Sequence, residues 1–132
     1  MAKKDKISSE ELSMLVVQGM LEKKASDVLV MDLRKVKNAI TDFFVICSGS
    51  SDTQIEAIAD SIEDEIEKNS GEKVWHREGR QMREWVLVDY VNVVAHVFRK
   101  DRREFYDLES LWGDAVITTI KESFDKPSLN LA

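Results

Sequence analysis

A single cysteine, Cys47, in 132 residues excludes an intramolecular disulfide. The fold must hold through its own core, and a reducing compartment suits it. Cys47 lies in the apolar run FFVIC, where a thiol packs as a small hydrophobe. A nucleophilic thiolate would need an electropositive, half-open site and a base. Histidine is scarce as well: His76 and His96 match no metal-ligand spacing, and no second cysteine completes a zinc set. His96 sits among apolar neighbours and reads as a packed structural residue, whereas His76 is placed to reach the surface. No metal and no cofactor are expected. With one proline and five glycines the chain has no linker or low-complexity stretch, and one domain over 1–132 is expected. No apolar run approaches the ~18–20 residues that a membrane span requires. Residues 1–6 (MAKKDK) are charged and lack the apolar stretch of a secretory signal, so a cytoplasmic protein without membrane association is expected. An excess of basic charge is also missing: 19 Lys and Arg stand against 25 Asp and Glu, a formal net charge of −6. That sign disfavours non-specific nucleic-acid binding, and no direct sequence-specific binding is expected either. It suits a basic protein partner, of which ribosomal proteins are a large cytosolic pool.

What the chain does have is an ordinary globular mix, 43% apolar and 33% charged. Ser8 and Glu11 have capping-box spacing, and Leu12, Leu15, Val16 and Met20 follow on one helical face. Lys23 and Lys24 close that helix. Residues 27–33 (DVLVMDL) and 43–47 (FFVIC) read as strands covered on both faces. Ser51 and Gln54 repeat the capping-box spacing before a helix striped by Ile55, Ile58, Ala59, Ile62 and Ile66, which Asn69-Ser70-Gly71 stops. Residues 73–78 read as a strand of mixed exposure. Residues 84–89 and 93–99 read as an antiparallel hairpin around Tyr90-Val91-Asn92. A short helix then starts at Asp101-Arg102-Arg103-Glu104 and buries Phe105, Leu108 and Leu111. Asp114 opens a last helix carrying Val116, Ile117, Ile120 and Phe124, and Pro127 ends it. The expected fold is α/β: a single domain with a mixed β-sheet of about five strands and helices packed on it. It divides into a core from about residue 8 to 113, a C-terminal helical extension 114–126 and a frayed tail 127–132.

The sequence offers little for catalysis. Ser48-Gly49-Ser50-Ser51 links a strand to a helix, and a Gly-Ser turn in that place occurs in nucleotidyltransferases. It is neither a Walker loop nor a dinucleotide fingerprint. Nucleotidyltransferases also need paired carboxylates on a nearby strand to hold metal ions. Here Asp32 and Asp89 each stand alone on their strands, and Asp107 and Glu109 have the spacing but fall in a helical pattern. Glu63, Asp64, Glu65 and Glu67 lie mostly opposite the isoleucine stripe and read as a solvated face.

The aromatic residues carry the remaining signal. Trp85 and Leu87 share one face of their strand, Val86 and Val88 the other. Tyr90 sits at the hairpin turn, where nothing in the fold obliges a large aromatic. Tyr106 is offset from the buried helical stripe. Exposed Trp and Tyr on rigid elements are the usual anchors of protein interfaces. Periodicity leaves Trp85 and Trp112 open between interface and core.

These same segments make the sequence resemble the Iojap family, the ribosomal silencing factors of bacteria and organelles. The resembling pieces include Asp27-Val28, TDFFVICSG from Thr41, Glu78-Gly79, WVLVDY from Trp85, VVAHVF from Val93 and REFYDLESLW from Arg103. Their order and spacing over residues 12–112 make the resemblance specific. It implies a nucleotidyltransferase-like fold without the catalytic carboxylates, and a protein that is not an enzyme. It implies binding to protein fourteen of the large ribosomal subunit, at the face that meets the small subunit. Translation would then be repressed under nutrient limitation because the subunits cannot join. Carried over by position, the partner-binding residues are Trp85, Tyr90 and Tyr106. Asp89, Arg103, Glu104 and Asp107 are candidate rim charges, and Trp112 is structural. A homodimer of the free protein is the further partner. A nucleotidyltransferase-like enzyme and a ribosome assembly or dimerisation factor are the alternatives. The chain departs from the family in reading Val91-Asn92 where Gly-Asp is usual between the hairpin strands, and Tyr90 where leucine is frequent.

Overall fold

A computed structural model describes residues 7–79, 84–102 and 115–120. Helix α1, Ser9–Glu22, starts with a complete capping box: Ser8 Oγ accepts from the Glu11 N–H at 3.0 Å, and Glu11 Oε1 accepts from the Ser8 N–H at 3.1 Å. Its buried face is Leu12, Val16, Val17 and Met20. Helix α2, Asp52–Ser70, starts at Ser51, whose Oγ accepts from the Gln54 N–H, and stops at Gly71, where φ of 77° needs glycine. Ile55, Ile58, Ala59, Ile62 and Ile66 are all buried, as their spacing predicts. The two helices touch backbone to backbone at Gly19. A Cβ there would lie 2.7 Å from the Ile62 Cα, and Ser61 Oγ donates to the Gly19 carbonyl at 2.8 Å.

Among the described residues six strands form one mixed sheet: β1 (Ser26–Asp32), β2 (Phe43–Gly49), β3 (His76–Glu78), β4 (Trp85–Asp89), β5 (Val93–Arg99) and β6 (Val116–Thr119), in the order β3-β4-β5-β2-β1-β6. Of their pairings, β2 with β5 is parallel and the others are antiparallel. The central β2 is buried along its whole length, which explains its unbroken apolar run. Val45, Cys47, Val86, Val88, Ala95 and Val97 face the helices. Met31, Phe44, Ile46, Val94 and Phe98 make a second core cluster on the opposite face.

The C-terminal extension differs from expectation. Residues 116–119 are not helical but form β6, antiparallel to β1, which raises the sheet from about five strands to six. The run is Val-Ile-Thr-Thr, four β-branched residues whose stiff χ1 disfavours a helix and suits a pleated strand. The rest of that predicted helix, and the helix predicted after Asp101-Arg102, lie outside the described residues. Lys100–Arg102 form one 3-10 turn.

Arg77 fastens β3 to α2. Its guanidinium meets Glu56 at 2.9 Å, Asp60 at 3.0 Å and Glu63 at 2.8 Å, with the side chain 9% exposed. Burial opposes the charge, but these carboxylates outweigh it and hold the arginine firmly protonated. Part of the acidic face of α2 is therefore an internal counter-charge.

Candidate functional site

Trp85 opens β4 and points to the face away from the helices, as the alternation with Val86 predicts. It is half-buried. Its indole Nε1–H donates to His96 Nδ1 at 3.0 Å. The Trp85 and Phe98 ring centroids are 5.0 Å apart, and the His96 ring meets Phe44 edge-on at 4.6 Å. The hairpin register places the group: Trp85 lies opposite Phe98 and Leu87 opposite His96, so Trp85 and His96 are diagonal neighbours on one face. Beside them Arg102 reaches Glu84 at 3.4 Å.

His96 is 4% exposed, and burial pushes its pKa down to about 3. It is neutral, and because Nδ1 accepts from the indole, its proton sits on Nε2, which has no hydrogen-bond partner. His96 is thus a packed structural histidine, as expected. Its specific role is to fix the Trp85 ring and consume the only donor of the indole. Sequence reasoning missed that role, although the register of a tight hairpin contains it.

The structure corrects the placement of Tyr90. Expected to face a partner, it is instead 5% exposed and belongs to the helix-side core. Tyr90 continues the inward alternation of Val86 and Val88, so Trp85 and Tyr90 lie on opposite faces of the sheet. Burial, with the nearby carboxylates Glu63, Glu67 and Glu72, pushes its phenol pKa up. The apolar residues exposed at this end of the sheet are Val91 (57%) and Ile40 (87%). They line a shallow cavity of about 220 Å³ with Leu33, Arg34, Val36 and Asp42.

The turn that carries Val91 is strained. Val91 has φ of 78°, costly for a β-branched residue, and the Asn92 N–H donates to the Tyr90 carbonyl at 3.0 Å across it. Neighbouring groups hold the conformation. Asp89 Oδ1 accepts from the Val91 N–H at 2.7 Å, and the Asn92 carbonyl accepts from the N–H groups of Asp42 and Phe43. Asn92 Nδ2 donates to Ser9 Oγ, which donates to Asp42 Oδ2. Asp89, a predicted rim charge, is thus occupied in shaping the turn. Tyr106, Arg103, Glu104, Asp107 and Trp112 lie outside the described residues.

The Gly-Ser turn is plugged from within. Gln54 Oε1 accepts from the Ser50 N–H at 2.6 Å, and its Nε2 donates to the carbonyls of Lys23 and Lys24. Asp32 is clasped by Arg34, at 2.8 and 3.0 Å, which holds its carboxyl below the usual range. Cys47 is buried, and His76 is exposed and meets Glu78 at 2.8 Å. Among the described residues no three His, Cys, Asp or Glu side chains come together as metal ligands. No described helix is long and apolar enough to cross a membrane. Trp75, which sequence reasoning passed over, is 68% exposed beside β3.

These features define a small mixed α/β domain, two helices packed on a six-stranded sheet among the described residues. A family model described as "Ribosomal silencing factor during starvation" matches residues 6–130. The Ribosomal silencing factor RsfS of Bacillus subtilis is 44% identical over 99 residues, covering 75% of this chain and 82% of that protein. That of Halalkalibacterium halodurans is 40% identical over 109 residues, covering 83% and 92%. A crystal structure of a Chromobacterium violaceum protein matches with a TM-score of 0.76 at 30% identity, covering 90% of this chain and 93% of that one. The chain belongs to the ribosomal silencing factor (Iojap) family, which consists of non-enzymatic translation regulators.

Proposed function

We propose that this protein binds the large ribosomal subunit through its protein fourteen and, by occupying the face that meets the small subunit, prevents the two from joining. Translation is thereby repressed when nutrients are short, and the protein acts in the cytoplasm. The family match over residues 6–130 carries this reading. The net charge of −6 suits a basic ribosomal partner.

Trp85 is the anchor that fits this role best: it is half-buried, clamped by His96 and flanked by Phe98. Such a pre-set ring loses little entropy on binding. Tyr106 is its proposed companion, with Arg103, Glu104 and Asp107 as rim charges. Tyr90 acts from inside, by supporting the turn that exposes Val91. When free, the protein pairs with a second copy.

The test is retention of purified large subunits by wild-type protein and by Trp85→Ala, with circular dichroism to show that the variant is folded. A central aromatic anchor contributes on the order of 2 kcal/mol or more, so affinity should fall by roughly 30-fold. Undiminished binding would put the interface elsewhere.

A further inference from the structure

The formal charge of −6 is not spread evenly over the chain. Helix α2 holds seven carboxylates against one lysine, Lys68, and the remaining residues balance. This helix packs on one face of the sheet, with its isoleucines in the core cluster there. The segment between β1 and β2 lies on the opposite face and has the reverse character. Residues 33–41 (LRKVKNAIT) contain Arg34, Lys35 and Lys37 and no carboxylate. An acidic protein thus keeps a local surplus of positive charge on the face that carries Trp85.

The segment is firmly built. The Leu33 N–H donates to the Asp42 carbonyl at 2.8 Å and closes its base. Two turns follow, in which the Val36 N–H donates to the Leu33 carbonyl at 3.0 Å and the Ala39 N–H to the Val36 carbonyl at 3.3 Å. Asn38, with φ of 69°, takes a left-handed conformation that asparagine tolerates. Every third residue turns inward: Leu33 belongs to the cluster against which Trp85 packs, and Val36 and Ala39 rest on it. Lys35, Lys37, Asn38 and Ile40 are exposed. Arg34 is held by Asp32 at 2.8 Å and lies over the Phe43 ring at 4.9 Å, so its charge is largely answered. Neither lysine makes an ion pair among the described residues. Beside them Ile40 and Val91 wall the shallow cavity of about 220 Å³, where the Thr41 hydroxyl is buried without a hydrogen-bond partner.

We propose that Lys35 and Lys37 hold the phosphate backbone of RNA, with a ribose seated against Ile40 in the adjoining cavity. Two ammonium groups on flexible stems act as point charges and suit phosphates whatever the bases. The contact is therefore independent of sequence, because phosphates carry no base information. The cavity favours RNA over an acidic protein: a ribose offers apolar ring carbons to Ile40 and Val91, and its 2′-hydroxyl suits a wall that contains a partnerless hydroxyl. The carboxylates of α2 lie across the sheet, so they do not face the approaching backbone. The proposal rests on the large-subunit docking stated above and adds a second foothold, on RNA, beside the protein contact made through Trp85.

Retention of large subunits over a range of potassium chloride concentrations tests it, with Lys35→Gln and Lys37→Gln combined in one variant. Both side chains are exposed, so circular dichroism should not change. Each lost phosphate contact should lower the salt slope by about one, so the double variant should bind about ten-fold or more weakly at low salt, with a slope reduced by about two. An unchanged slope overturns the proposal. A photocrosslinker on the thiol introduced by Ile40→Cys identifies the neighbour, since the native Cys47 is buried and escapes labelling. Adducts should form with ribosomal RNA, and adducts with ribosomal protein alone overturn the proposal. Anisotropy of a short labelled RNA hairpin at low salt separates this contact from the docking site. Trp85→Ala should lose subunits and keep the hairpin, whereas the double lysine variant should bind the hairpin about ten-fold or more weakly. If wild type is not retained by subunits, the docking reading fails and the hairpin decides: binding weakened in the double variant upholds the contact, and binding that is absent or unchanged overturns it.

Discussion

His96 carries no charge at neutral pH, and its burial gives the folded protein a pH dependence of known sign. Its pKa is about 3 in the folded state against an ordinary 6.5. Between those values the unfolded chain takes up a proton that the folded chain refuses. The stability tied to neutral His96 is therefore complete above pH 6.5 and is lost as pH falls toward 3. This one group contributes a slope of up to about 1.4 kcal/mol per pH unit. Urea midpoints at pH 7.5 and pH 5 should differ more for wild type than for His96→Gln, whose amide oxygen can still accept from Trp85. At this scale the sequence was readable wherever a residue obeyed the phase of its element. Cys47 and His96 are buried, as their apolar neighbours imply, and Trp85 lies on the face that its alternation with Val86 assigns. Tyr90 was misplaced because its position beside a turn outweighed the phase it shares with Val86 and Val88. The pairing of Trp85 with His96 needed the hairpin register, which single-strand patterns do not contain.

The elements meet at two points where a single substitution has a calculable direction. Gly19 lets α1 lie against α2, since a Cβ at that position would come within 2.7 Å of the Ile62 Cα. Gly19→Ala should cost about 1–3 kcal/mol by forcing the helices apart, although alanine alone favours a helix by ~1 kcal/mol. A lowered melting temperature checks it. Val91 is the opposite case. It is exposed, so little packing is lost on truncation, and its φ of 78° suits glycine. Val91→Gly should raise stability by about 1 kcal/mol, strain relief exceeding the added chain entropy, as a shift in urea midpoint would show. The two helices were legible because caps and apolar stripes agree along each of them. β6 was not, since Val116, Ile117 and Ile120 fit a helical spacing as well as a strand, and only the β-branched Thr118 and Thr119 between them break the tie.

Across the whole molecule, protection should fall from the centre of the sheet to its edges. β2 and β5 are paired on both sides and buried, so their amides should exchange only through global unfolding, while the three-residue β3 exchanges through local opening. Hydrogen-exchange mass spectrometry should find this gradient. The strand order itself was not legible from patterns. The parallel pairing of β2 with β5 joins segments separated by α2, β3 and β4, and periodicity carries no information about such partners. At the docking surface proposed above, the clamp on Trp85 sets what kind of neighbour can be tolerated. With its one proton already committed to His96, the indole has no polar preference of its own, so a partner can drift in its hydrogen-bonding groups at that point while keeping its contour. Under the proposed docking, recognition at this ring is a matter of fit, and the same ring can serve across partners whose sequences have diverged.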